Sequence, residues 1–166
     1  MMSNLQIFLK ELTTESVVTR KMLERIPADK LDWSPHVKSM TMRQLAGHIA
    51  ELPGWISMAF TTDELNFQAN AYQPVEWSTI IELGEILEKF LQGAQEHLKN
   101  GREEVLPLRW VLRNGDQILI DFTKGELIRH SLSQIIHHRA QLGVYLRLLD
   151  IPIPGTYGPS ADDPDF

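Results

Sequence analysis

With 166 residues, 43% of them hydrophobic and 23% charged, the chain is long enough to bury one core and too short for two ordinary domains, so residues 1–166 read as a single domain. A net charge of −6 argues against a nucleic-acid partner, since the pair Arg109 and Arg113 is too sparse to make a basic face. The absence of cysteine excludes disulfides, thiolate zinc sites and a cysteine nucleophile, and leaves His, Asp, Glu or an amide oxygen to hold any metal.

The first predicted helix carries Leu5, Phe8, Leu9 and Leu12, then Val18, Met22 and Ile26, at three- and four-residue steps, and stops before Pro27. Lys10, Glu11 and Glu15 interrupt it, so it is no signal-peptide core, and no apolar run approaches the ~18 residues that span a bilayer. A cytoplasmic protein with no membrane partner is expected. Residues 26–40 read as an ordered loop with Trp33 as an anchor.

The second helix opens at Thr41, where Gln44 completes a capping box, and its apolar stripe is Leu45, Ile49, Leu52 and Ile56. Pro53 lies inside the stripe and cannot donate to the Ile49 carbonyl, which predicts a kink. Residues 61–76 read as irregular. A third helix starts near Ser78 or Thr79, again with a capping box (Glu82), and ends at Asn100-Gly101. Its stripe is Ile80, Leu83, Leu87, Leu91, Ala94 and Leu98.

Asn114-Gly115, flanked by β-branched and aromatic residues, predicts a short β-hairpin before the last helix, because both residues tolerate positive φ. The fourth helix starts at Thr123, boxed by Glu126, and runs to about Leu149. The ending from Pro152 onward is not helical, and Asp162, Asp163 and Asp165 read as a solvated acidic tail.

Four histidines bear on chemistry. His48 falls on the apolar side of helix two, between Leu45 and Leu52; it reads either as a core histidine satisfied by hydrogen bonds or as a ligand. On helix four, Ser131, Ile135, His138, Leu142, Tyr145 and Leu149 follow helical spacing, so His138 points inward too. Gln134 is one turn earlier, close enough to meet His138 at one ion. His130, Gln134, His137 and Gln141 form a second, polar stripe, either a solvated face or a cavity wall. Neighbouring residues of a helix point about 100° apart, which puts His137 at the rim when His138 faces the core. Two inward histidines on separate helices suit zinc, nickel or iron(II), and Glu51, three residues after His48, is placed to add a carboxylate. The paired Glu-x-x-His motifs of a di-iron bundle are missing, so one ion is expected, not two. There is no phosphate loop, nucleophile elbow or His-Glu-x-x-His.

Taken together, the stretch Leu45-Ala46-Gly47-His48-Ile49-Ala50-Glu51-Leu52-Pro53-Gly54-Trp55, the hairpin of residues 110–122, the run His137-His138-Arg139-Ala140-Gln141-Leu142-Gly143 with its continuation to Leu149, and Tyr157-Gly158-Pro159-Ser160-Ala161-Asp162 resemble the DinB-like (damage-inducible) family over nearly the whole chain. The resemblance implies an all-α fold, a four-helix bundle with crossover connections, as a homodimer. It implies one nickel or zinc ion held by three histidines, of which the helix-two ligand matches His48 and the last matches His138. The remaining ligand falls on Gln134, whose neutral amide oxygen is a weaker donor than imidazole, so the metal is expected to be weak or absent. His130 is no substitute, lying roughly 12 Å along the helix from His138.

Two functions follow from these expectations. One is a metal-dependent enzyme, a thiol transferase or isomerase or a hydrolase, acting on a small molecule or a low-molecular-weight thiol, with His48, His138 and Gln134 on the metal and Glu51 as catalytic base or supporting carboxylate. The other is a non-catalytic bundle in which a degenerate metal site binds a small molecule or serves a dimeric interaction module.

Overall fold

Each long helix begins where a hydroxyl side chain and a glutamine or glutamate three residues later bond reciprocally across the first turn. The computed structural model describes residues 2–164, and in it Ser3/Gln6, Thr41/Gln44, Thr79/Glu82 and Thr123/Glu126 all form such boxes. They start α1 (Asn4–Leu23), α2 (Met42–Glu51), α4 (Ile80–Asn100) and α5 (Lys124–Leu148). Each satisfies backbone donors that the first turn leaves orphaned, and losing the capping side chain typically costs ~1 kcal/mol.

Pro53 divides the second helical stretch. α2 ends at Glu51, Leu52 keeps helical backbone angles, and α3 (Pro53–Thr61) restarts with proline in its first turn. At the join the Trp55 amide bonds the Leu52 carbonyl. Gly54 then lets α3 approach α4, since a Cβ there would lie 2.7 Å from Phe90 Cδ1.

α1 packs on α4 and α5, and the α2–α3 rod packs on the same two helices from the other side. Apolar stripes meet between them: Leu12, Leu45, Ile49, Ile56, Leu83, Leu87, Leu91 and Leu132 are all buried. A buried ion pair joins α1 to α5, with Arg139 Nη1 2.7 Å from Glu15 Oε2. Among the described residues no helix is long and apolar enough to cross a membrane.

The chain is mostly helical but carries more sheet than expected. β2 (Arg109–Asn114) and β3 (Gln117–Thr123) pair antiparallel, with a one-residue irregularity after the Leu112–Ile120 pair. Asn114 pairs with Gln117, so the loop is Gly115-Asp116, and among the described residues of the hairpin only Gly115 takes positive φ (60°). The turn thus has glycine first, and Asn114 belongs to the ladder. The expectation that residues 61–76 are irregular is corrected by β1 (Glu64–Asn66), which pairs parallel with β2. Its strand is too short for alternation to announce it. The partner supplies the signal: Arg113 grips Glu64 across the pair with bonds of 2.9 and 2.7 Å.

The acidic ending is likewise corrected. Asp162 accepts from Arg147 and from the Ile153 amide, and Asp163 accepts from the Gly155 amide, so both carboxylates pin the chain back onto α5 and itself. Asp165 lies outside the described residues.

Candidate metal centre

Helical spacing places His48 on α2 and His138 on α5 at a shared interface, where packing of the flanking apolar residues brings their rings together. The centroids are 4.7 Å apart and the planes stand at 76°. Two imidazoles on one tetrahedral zinc, each bonded at ~2.0–2.1 Å, have centroids about 5 Å apart. The observed spacing suits a shared cation.

Each ring has one nitrogen committed. His48 Nδ1 donates to Glu51 Oε1 at 2.8 Å, and His138 Nδ1 donates to Gln141 Oε1 at 2.9 Å. Nε2 is the nitrogen left on both. A metal-binding histidine ordinarily gives its other N–H to a carboxylate or carbonyl, which fixes its tautomer and orientation. Both partners are in place here.

Glu51 is buried, and its Oε1 also accepts the Tyr72 hydroxyl. Burial and the adjacent carboxylate push the Tyr72 hydroxyl well above its usual range. With that oxygen already shared by an imidazole and a phenol, Glu51 stands behind His48. Tyr72 is a residue that sequence reasoning missed: it sits in a polar loop 21 positions away, and nothing local signals that it reaches back.

Gln134 lines a cavity of about 200 Å³ together with His48. Among the described residues no group of three or more His, Asp or Glu side chains is arranged to hold a metal ion. The donor set is therefore two imidazoles, with Gln134 on the cavity wall that His48 shares, which fits one divalent ion held less tightly than by three histidines. His137 is exposed, its ring 4.9 Å from that of His138. His138 is half-buried, and desolvation lowers its pKa, reinforced by His48 and His137 and opposed by the Gln141 bond.

Gln141, one of the polar stripe, is exposed and at the same time supports the His138 ring. His130 lines the same cavity as His48 and Gln134, packed against Phe122 with centroids 5.4 Å apart. Burial alone lowers its pKa.

Comparison with known proteins places the chain in a family. YrdA of Bacillus subtilis (strain 168) is 25% identical over 169 residues, spanning 98% of this chain and 93% of that protein. A DinB-like protein from Bacillus subtilis superposes with a TM-score of 0.67 at 19% identity, covering 88% of this chain and 96% of that one. One from Bacillus cereus ATCC 10987 gives a TM-score of 0.66 at 18% identity over 90% and 95% of the two chains. A third, from Exiguobacterium sibiricum 255-15, gives 0.65 at 20% identity over 90% and 94%. At these identities the superpositions establish the fold alone. The family model carries the assignment: it matches residues 1–165, and the chain belongs to the DinB family.

Proposed function

We propose that this chain is a four-helix bundle with crossed connections that holds one divalent ion, nickel or zinc, between His48 and His138, and works as a metal-dependent transferase or hydrolase on a small molecule. The observation that carries the reading is the meeting of two imidazoles from different helices at 4.7 Å, each with its Nδ1 already bonded. Gln134 supplies the third, weaker donor through its amide oxygen. When bound, the ion lowers the pKa of a thiol or water at its open position and so provides a nucleophile at neutral pH.

The chain's own residues do the rest. Glu51 accepts the His48 Nδ1 proton and holds that ring in the tautomer whose Nε2 is a donor to metal. Gln141 does the same for His138. Leu52, Trp55, Leu112 and Ile120 wall the adjoining cavity and limit water near the reacting group.

Isothermal titration of zinc and of nickel into the purified full chain tests this. Wild type is expected to take up one equivalent, His48→Ala and His138→Ala none, and Gln134→His is expected to bind more tightly than wild type. A wild type and a Gln134→His variant that both remain metal-free under excess metal would overturn the reading.

A further inference from the structure

Resting on the metal-centre reading only in sharing the His48 and Gln134 wall, we propose that the 200 Å³ cavity beside that centre is a binding chamber for a compact, uncharged, ring-sized molecule whose polar substituent is held by His130. Three observations carry it. A cavity of ~150 Å³ already accommodates benzene in another protein, so this one has room for a single substituted ring. Its walls are unlike: Leu52, Trp55, Leu112 and Ile120 on one side, and His48, Gln134 and His130 on the other. No charged side chain lines it, so a carboxylate or phosphate would lose its water and find no counter-charge.

Of the polar side chains on this wall, His130 is the one that the metal-centre reading leaves without a role, and its hydrogen-bonding capacity is unspent. The Ser131 hydroxyl, also at the cavity, donates to the Leu52 carbonyl at 2.7 Å, and His48 has its Nδ1 on Glu51 and its Nε2 assigned to the metal. The His130 ring lies tilted at 55° against Phe122, and among the described residues no protein group hydrogen-bonds it. Burial also favours its neutral form, in which one ring nitrogen donates and the other accepts. Two helical turns, roughly 12 Å, separate it from His138 along α5. A molecule in the cavity lies between His48 and His130, with its polar end at His130 and its apolar body against Trp55. His130 is thus a positioning and specificity residue, not a ligand of the metal.

The test uses 4-methylphenol and toluene, which share a ring and a methyl group and differ by one hydroxyl. Both are titrated into the ¹⁵N-labelled full chain, metal-free and zinc-loaded, and followed by NMR. The expected result is binding of 4-methylphenol about fivefold tighter than toluene, the size of one net hydrogen bond, with shifts centred on Trp55, Leu112 and His130. His130→Ala should bring the two ligands within twofold of each other, and His130→Gln, which still hydrogen-bonds, should restore part of the preference. Zinc affinity should be the same in His130→Ala and wild type. A preference for 4-methylphenol with no metal uptake by either wild type or Gln134→His supports the chamber and overturns only the metal reading. Absence of binding by either ligand, equal binding of both to wild type, a preference that survives His130→Ala, or loss of zinc affinity in His130→Ala would each overturn the proposal.

Discussion

Replacing Arg139 with Met should be among the most damaging single changes outside the apolar core. The guanidinium is 3% exposed and its partner Glu15 is 6% exposed. Arg139 Nη1 also reaches the Glu15 carbonyl and the Thr19 hydroxyl, each at 3.2 Å. Methionine keeps most of the volume and removes the charge, so Glu15 is left desolvated with the Tyr157 hydroxyl, at 2.8 Å, as its remaining hydrogen-bond donor. Breaking a buried pair from one side costs about 3–5 kcal/mol, because the surviving charge stays buried without compensation. At ~2–4 °C per kcal/mol for a chain of this size, Tm should fall by roughly 6–20 °C. The double variant Glu15→Met/Arg139→Met removes both charges and should recover most of that loss. Urea unfolding of all three proteins, with m-values compared, measures this. A loss under about 1 kcal/mol for Arg139→Met, or a double variant no more stable than the single, would refute the claim that charge burial dominates here.

Three further outcomes are expected. Gly115→Ala should cost roughly 1–2 kcal/mol in urea unfolding, because its φ of 60° lies in the left-handed region that alanine disfavours, while Gly115→Asn, which adopts that region more readily, should cost less. Tyr72→Phe removes a donor from the carboxylate that orients His48, and should weaken zinc binding about tenfold by titration calorimetry, the lower end of what losing a supporting contact costs. The folded-state pKa values of His130 and His138 both lie below the ordinary 6.5, so the folded state binds fewer protons than the unfolded one. Their contribution is therefore fully present above about pH 6.5 and is lost as pH falls through the lowered folded values; urea midpoints between pH 7.5 and 5 should decline, and decline less in His130→Gln/His138→Gln.

The parts of the fold legible in the sequence are those encoded within a few residues. Thr41/Gln44, Thr79/Glu82 and Thr123/Glu126 each state a helix start over four positions, and the structure places all three boxes there. The stripe from Leu83 to Leu98 is buried as its period requires. What escaped notice is made by partners distant in the chain. β1 is three residues long and depends on a strand nearly fifty positions later. Arg139 and Glu15 are charged residues that local pattern assigns to a surface, and they are buried because each is the other's counter-ion across 124 positions. In the candidate centre, spacing alone paired His48 with His138, since each sits on an apolar stripe. Their supports, Tyr72 and Gln141, lie on no apolar stripe; they belong to a loop and to the polar stripe of α5 that happen to lie behind each ring.

The dipeptide His138-Arg139 shows how the anchor and the centre depend on each other. Consecutive helix residues project about 100° apart, so one cannot serve α2 and the other α1 unless α5 is held at a single rotation. Arg139, locked among Glu15 and Thr19 of α1, sets that rotation, and His138 is thereby turned toward His48 on α2. Gln134 and His130 follow at four-residue steps on the same side of α5, which is why the cavity wall is polar along that line. Because the buried charge pair fixes α5 against α1, the ring-to-ring geometry depends on a face of the helix about 100° round from the rings themselves. A change at residue 139 should therefore disturb the centre through the angle of α5 even though Arg139 touches neither imidazole.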